Sequence, residues 1–393
     1  MLLIDFIKDN DDWRDILADA PYHITIKDYA GKEDDLKDLT ILKYDQIKSD
    51  FNNPIVRECR GIIINRETLG VVCHPFDKFG NYGESYVPDI DWDTATVVEK
   101  VDGSLIKLYW YKGKWRVATN GTVNAFECDL PKPTAEFKTF GELFMYLFGE
   151  VKTQFLDTDY VYLFELCSNW NRVVVPHEEP TLYLLSTRNR YDYTYPSQVT
   201  IKMTARGLMV GTPKTYPLKS LEDVVKASEE LPWDDEGYVV VDARGNRVKI
   251  KSPSYVRVHH LSDNGNVSIK RLYELVRTGE AHELLTYYPE YQEYVDAVVY
   301  IRKRLFDMVR ESIQRRWLPW QVDANVGRPF PGVEDAKVIR KQFAMCVNNH
   351  EHPILRPVAF RWFDDQFKSV GEYFNMIKDA NIIKMIEEYV NGK

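Results

Sequence analysis

Cysteine is scarce in this chain. Five residues among 393, Cys59, Cys73, Cys128, Cys167 and Cys346, are widely spaced and contain no Cys-x-x-Cys pair. An odd, scattered set argues against a disulfide frame and against a cysteine-rich zinc site, and suits a reducing compartment. Long apolar runs are also missing. The first eight residues are too short an apolar run for a signal peptide, acidic residues follow at once, and no segment reads as a membrane span. The expectation is a soluble, cytoplasmic protein with no membrane partner, acting as a monomer. There is no internal repeat, no low-complexity tract and no Gly-x-x-x-x-Gly-Lys-Ser/Thr run, which disfavours a P-loop kinase. Positive charge is not in excess either: 51 Lys and Arg face 60 Asp and Glu, for a net charge of −9. That balance is awkward for a phosphate-backbone partner, but binding depends on local patches. Basic residues do cluster, in Arg247-Val248-Lys249-Ile250-Lys251, Arg302-Lys303-Arg304 and Arg315-Arg316. Each cluster alone reads as a solvated face.

The length suits two domains with ample apolar material for two cores. Up to about residue 257 the chain reads as mixed α and β, with strands expected at 61–64, 97–100, 105–111, 115–119, 161–166, 182–186, 237–241 and 247–251. Lys112-Gly113-Lys114 and Ala243-Arg244-Gly245-Asn246 read as hairpin turns. One helix is expected to interrupt this region, opened by Thr139 and Glu142 as a capping box and running towards Phe155. Beyond about residue 262 the periodicity turns helical: one helix around Ile269, Leu272 and Val276, a long one from Tyr294 to Ile313, and one capped by Ser369 and Glu372 that continues to Tyr389. The stretch 319–331, with its glycine and prolines, reads as a loop. His350-x-His352 lacks partners and reads as a loop feature rather than a metal site.

The pentapeptide Lys100-Val101-Asp102-Gly103-Ser104 sets an amine nucleophile beside a carboxylate and a flexible glycine, between two expected strands. Four further segments follow it. Phe164-Glu165-Leu166 puts a carboxylate inside an apolar strand, Tyr183 to Arg188 is a buried strand ending in a cation, Glu236-Gly237-Tyr238 opens a strand, and Lys249-Ile250-Lys251 puts two amines on one strand face. Upstream, Arg60 and Lys78 add two cations. These residue types suit nucleotidyl transfer, which depends on positioning and charge stabilisation around a nucleophile that must be neutral to attack. Glu236 is placed to hold a hydrated Mg²⁺, and Glu165 to bond ribose hydroxyls.

That ordered set resembles motifs I, III, IIIa, IV and V of the covalent nucleotidyltransferases: DNA ligases, RNA ligases and capping enzymes. More specifically, Glu58-Cys59-Arg60-Gly61-Ile62, Asp77-Lys78-Phe79 with Asn81, Asn171-Arg172-Val173-Val174, and Lys249-Ile250-Lys251-Ser252 with Tyr255 and His259 resemble the bacteriophage RNA ligase 1 family. The resemblance covers roughly residues 40–260. It implies an α+β chain: residues 1–260 an adenylyltransferase domain, ATP-grasp-like, of antiparallel sheets with helices, and 261–393 an all-helical C-terminal domain for RNA specificity. It implies that Lys100 becomes adenylylated from ATP with Mg²⁺ or Mn²⁺, Glu236 assisting the metal through water. Catalysis would also use Lys249 and Lys251, with Glu99, Arg60, Lys78, Asp102, Gly103, Glu165 and Glu236 among the nucleotide-binding residues. AMP would pass to an RNA 5′-phosphate before attack by a 3′-hydroxyl, on single-stranded RNA ends and, within the family's repertoire, cleaved tRNA. Two alternatives stay open: a DNA ligase or capping-type guanylyltransferase, and a non-catalytic RNA-binding protein of the same fold. One departure is visible: where the family has a lysine after motif I, this chain has Thr119-Asn120-Gly121-Thr122.

Overall fold

The computed structural model describes residues 1–260, 268–317, 336–364 and 368–392. They form two compact units, Met1–Gly265 and Asn266–Lys393. The side chain of His259 and the 319–331 connection lie outside the described residues. Among the described residues no helix is long and apolar enough to cross a membrane.

The first unit is built on twelve strands: β1 (Ile24–Asp28), β2 (Leu39–Tyr44), β3 (Arg60–Asn65), β4 (Val71–Cys73), β5 (Thr96–Glu99), β6 (Ser104–Tyr111), β7 (Lys114–Thr119), β8 (Tyr160–Cys167), β9 (Thr181–Asn189), β10 (Thr215–Tyr216), β11 (Gly237–Val241) and β12 (Arg247–Lys251). They pair antiparallel into three sheets, ordered β1-β2-β3-β4, β7-β6-β8-β9 and β10-β5-β11-β12. The α+β expectation is met, and each of the eight expected strands is present. The β6–β7 turn is tight because Lys112 and Gly113 both take positive φ, at 45° and 76°, the requirement of a two-residue reversal.

The β7-β6-β8-β9 sheet is covered on both faces. Ile106, Leu108, Phe164 and Leu166 point to one side, where Phe144 and Phe148 of the helix Phe140–Phe148 stack on Phe164. Each such buried phenylalanine contributes about 1.5–3 kcal/mol. Tyr109, Val161 and Leu163 point to the other side, against Ile41 and Ile63 of the first sheet. Two-sided burial explains why these strands read as near-continuous apolar runs.

Several expectations need correction. The helix opened by Thr139 has its capping box but stops at Gly149, whose φ of +80° ends the α-helix, and a 3₁₀ segment, Glu150–Phe155, follows. It is not alone in its unit: Leu2–Asp9, Trp13–Ala18, Pro54–Glu58, Gln198–Leu208, Leu221–Glu229 and Pro253–His260 are helical too. Gln198–Leu208 is masked in the sequence by its Val199, Thr200 and Ile201, which favour strands, yet Ser197 caps it by accepting from the Thr200 amide. In the second unit, Ile269–Thr278 and Gln292–Glu311 fall where expected. The helix capped by Ser369 is short, Val370–Phe374, and Lys378, in an extended conformation, separates it from Asp379–Asn391. Ala281–Tyr287, Ala336–His350 and Arg356–Asp364 complete the helical core, centred on Leu305, Trp317, Phe343 and Trp362.

Candidate active site

Lys100 sits where the chain leaves one sheet for another. β5 ends at Glu99, the Lys100 amide donates to Gly237 O at 2.8 Å, and residues 101–103 cross to β6. The crossing runs so close under β8 that a Cβ on Gly103 would lie 2.5 Å from Leu166 O and 2.9 Å from Cys167 Sγ. Only glycine fits there. At Gly237, φ is +133° and a Cβ would collide with Ile250 O, so glycine is again required where β11 meets the end of β12.

Asp102 anchors this crossing from beneath. One carboxylate oxygen accepts from the Val174 and Val175 amides, at 2.9 and 2.7 Å, and the other from Tyr255 OH at 3.1 Å. Its carbonyl oxygen lies 2.7 Å from His177 Nε2. Asn171 secures the same segment, donating to Ser104 Oγ at 2.9 Å and Leu166 O at 2.8 Å. The expectation that Asp102 contacts the nucleotide is therefore corrected: both its oxygens are taken by protein donors, and it positions the loop that carries Lys100.

A cavity of about 330 Å³ opens beside Lys100, within the range that encloses a small ligand. Its polar lining is Arg60, Glu99, Lys100, Asn120, Glu165, Arg247, Lys249 and Lys251. Phe76, Phe79, Val98, Leu105, Leu185 and Val239 give it apolar walls suited to a flat base. Gly103 lines it as well. Arg60 and Lys249 flank the Phe79 ring, at 5.1 and 5.5 Å from its centroid. The wall bearing Phe76 and Phe79 is tied to β12 through Lys249, whose amide donates to Gly80 O at 3.0 Å and whose carbonyl accepts from the Tyr82 amide at 2.8 Å.

Glu236 lies below this cavity, 6% exposed, and does not line it. Lys100 Nζ is 2.5 Å from its Oε2 and Lys251 Nζ is 3.4 Å from its Oε1. A metal held directly by Glu236 does not fit this arrangement, because ammonium groups already occupy both oxygens. Nor do the described residues contain a cluster of three His, Cys, Asp or Glu side chains able to hold an ion. Glu165, at the end of β8, is pushed up to about 8 by burial. The Lys100 charge opposes that rise, and the negative charges of Glu236 and Asp102 reinforce it. At neutral pH Glu165 is held mostly as the acid, able to donate as well as accept a hydrogen bond, which matches a hydroxyl-bearing ligand.

Lys78 does not line this cavity. Its Nζ lies over the Tyr44 and Phe51 rings, at 5.5 and 4.9 Å, and it lines a neighbouring cavity of about 190 Å³ that shares Phe79 and Arg247 with the first. Arg188, the cation at the end of β9, is buried against Pro75 O at 2.6 Å and Asp77 Oδ1 at 3.0 Å, outside the nucleotide-sized cavity. Three polar residues of the site are not assigned by the sequence. Arg247 has a usable signal, since it lies two residues before Lys249 on the same strand and shares its face. Asn120 stands where the family resemblance expects a lysine, but its Oδ1 is buried without a hydrogen-bond partner among the described residues while the residue lines the cavity. Lys107 gives no signal: fully buried on β6, it donates from Nζ to Gly61 O at 2.5 Å, next to Arg60, and burial lowers it to about 8.

Comparison with known proteins bears on this geometry. A candidate bifunctional polynucleotide kinase/RNA ligase of Autographa californica nuclear polyhedrosis virus is 32% identical over 70% of this chain and 41% of its own length. An RNA ligase of Rhodothermus phage RM378 is 31% identical over 57% of this chain and 64% of its own. The chain thus spans less than two thirds of either relative. Among solved structures, an archaeal ATP-dependent RNA ligase superposes over 69% of this chain and 67% of its own with 10% identity and a TM-score of 0.43. The family model described as RNA ligase matches residues 58–255, half of the chain and the whole span from Arg60 to Tyr255 that builds the cavity and its supports, so the chain belongs to the RNA ligase family.

Proposed function

We propose that the protein is an ATP-dependent RNA ligase that joins 5′-phosphate and 3′-hydroxyl RNA ends through a lysyl-adenylate. The observation that carries this reading is Lys100 Nζ, 2.5 Å from Glu236 and opening on a cavity with apolar walls at one side and the cations of β12 at another. Glu236 takes a proton from the Lys100 ammonium. The freed lone pair forms the N–P bond to the α-phosphate as the bond to the β-phosphate oxygen breaks, pyrophosphate leaves with that electron pair, and the remaining excess proton passes to solvent. Lys249, Lys251 and Arg60 offset charge on the phosphates. Glu165 bonds the ribose. Glu99, whose Oε2 accepts from the Lys214 amide at 3.1 Å, lines the same cavity and completes the nucleoside end. ATP arrives with its own divalent cation, Mg²⁺ or Mn²⁺.

The AMP on Lys100 then passes to an RNA 5′-phosphate, and a 3′-hydroxyl displaces it. The helical unit Asn266–Lys393 selects the RNA, cut tRNA being the substrate to try first. A protein that only bound RNA would have no use for an amine held against a buried carboxylate at a cavity. Incubation with labelled ATP or GTP tests the proposal: an acid-labile protein adduct from ATP, followed by sealing of a 5′-phosphorylated single strand, is expected. Absence of any adduct from ATP would overturn it, and an adduct from GTP alone would point to a capping-type reaction.

A further inference from the structure

Alternate side chains of a strand share a face, so Arg247, Lys249 and Lys251 form a cation ladder along β12. Lys251 stands at the Lys100 end, 3.4 Å from the carboxylate that Lys100 also touches. At about 3.3 Å per residue, Arg247 lies roughly 13 Å further along. It is 8% exposed, with its guanidinium 4.5 Å from the Phe76 ring centre and 4.2 Å from that of Tyr195, and its Nη1 donates to Gly245 O at 2.8 Å. Among the described residues no carboxylate forms an ion pair with it. A buried cation without an anion is costly, and a bound anion would remove that cost.

The smaller cavity that shares Arg247 with the nucleotide cavity has the same character. Of its charged lining residues, Arg57, Lys78 and Arg247 are cations with no ion-pair partner among the described residues. Arg57 donates only to the Phe51 and Asn52 carbonyls, and Lys78 rests on aromatic rings. The single carboxylate there, Asp77, is committed to Arg188 at 3.0 Å and His74 at 2.9 Å. The excess charge of this cavity is positive.

Building on the ligase reading, we propose that Arg247 is the far anchor of the nucleotide triphosphate, holding with Arg57 and Lys78 the terminal phosphates that leave as pyrophosphate when Lys100 is adenylylated. The site is then needed to load the enzyme and idle once AMP is on the lysine. Each contact it makes is charge-assisted, between a rigid guanidinium fork or an ammonium and phosphate oxygens.

The test uses the full chain and separates the two halves of the reaction. Arg247→Gln, and independently Lys78→Gln, are compared with wild type in three assays: ATP dependence of adduct formation, the pyrophosphate concentration that discharges purified adenylylated protein, and single-turnover AMP transfer from that adenylylated protein to a 5′-phosphorylated RNA strand. Both variants are expected to raise the ATP and pyrophosphate requirements at least about tenfold and leave the third rate within about twofold. Unchanged ATP and pyrophosphate requirements in both variants would overturn the proposal and leave Arg247 as a stacking residue. Loss confined to AMP transfer would also overturn it, assigning the cavity to the RNA phosphate. Should Arg247→Gln fail to fold, Lys78→Gln and Arg57→Gln decide by the same criteria. Failure of wild type to form any adduct would instead reject the ligase reading itself.

Discussion

Each unit of the molecule buries a carboxylate against cations, and the two sites are built to different ends. In the helical unit Glu351, 5% exposed, accepts from Ser312 Oγ at 3.0 Å, Trp317 Nε1 at 3.0 Å and Arg316 Nη1 at 3.3 Å. Two of those donors, Ser312 and Trp317, are themselves buried, and Trp317 packs at 5.8 Å on Trp362 in the centre of the core. In the first unit Glu236 is equally buried, but its partners are two lysine amines that line a cavity. Fixed donors satisfy Glu351 permanently and make it part of the scaffold. Mobile ammonium groups satisfy Glu236 only until a ligand recruits them, which is how a site keeps charge available for chemistry.

The largest break in this comparison should come at Lys100. Lys100→Ala and Lys100→Arg are both expected to abolish the covalent adduct while the protein stays folded, because a guanidinium remains protonated and cannot attack. A labelled adduct surviving in either variant would remove Lys100 as the nucleophile.

Exchanging the carboxylates sharpens the contrast. Glu236→Gln should slow adduct formation by about 100-fold or more, since the proton acceptor of the attacking amine is lost, with little change in unfolding. Glu351→Ala should do the reverse. It strands the Trp317 N–H and the Ser312 hydroxyl in the core, lowering stability by about 2–4 kcal/mol in a denaturant titration and leaving adduct formation unchanged. Equal loss of activity in both variants would show that the two units do not divide their work in this way.

A smaller, pH-dependent effect belongs to Glu165. Burial raises its carboxyl from the usual carboxylate range to about 8, so the folded state holds a proton that the unfolded chain releases. The stability this group contributes is fully present below about pH 4.5 and is lost as pH rises towards 8. Glu165→Gln cannot ionise and should escape that loss, so its melting temperature should exceed that of wild type by a margin that grows between about pH 5 and pH 8.5. Each step of one pH across that window costs wild type at most about 1.4 kcal/mol. A margin independent of pH would mean that Glu165 is ionised throughout.

The sequence carried the strands and the order of the charged segments, because β-branched runs and the short spacing around Lys100 are local signals. It did not carry which charges face inward together. Asp102 and Glu165 look alike as carboxylates beside apolar residues, yet one turns to the Val174 and Val175 amides and the other to the cavity, a difference set by how segments far apart in the chain pack. Lys107 is a lysine within an apolar strand, and nothing near it in sequence announces that Gly61, 46 residues away, will offer it a carbonyl. Arg247 was legible in part: period two puts it on the face of Lys249, and only the seating of Phe76 and Tyr195 shows that it is buried. Short helices such as Gln198–Leu208 were lost because β-branched residues at their start outweigh a single capping serine.

Asn120 offers the finest test of how the first unit keeps its charge available. The residue lines the nucleotide cavity, and its backbone carbonyl presses so close to Gly61 that a Cβ there would lie 2.6 Å away, which puts the amide beside Arg60. Its Oδ1 has no partner among the described residues, so the position already exposes a polar atom to whatever fills the cavity. A lysine there could reach a phosphate with a charge-assisted bond that the amide cannot make, worth roughly 1–3 kcal/mol before desolvation and repulsion from Arg60 are subtracted. Asn120→Lys should therefore lower the ATP requirement for adduct formation modestly, by less than about tenfold, and steepen its salt dependence, because the added interaction is electrostatic. Adduct formation measured against ATP at two salt concentrations, in wild type and variant, gives the answer. An unchanged requirement at both salts would mean that residues 119–122 face away from the triphosphate, and that the orphaned amide serves the sugar or the base instead.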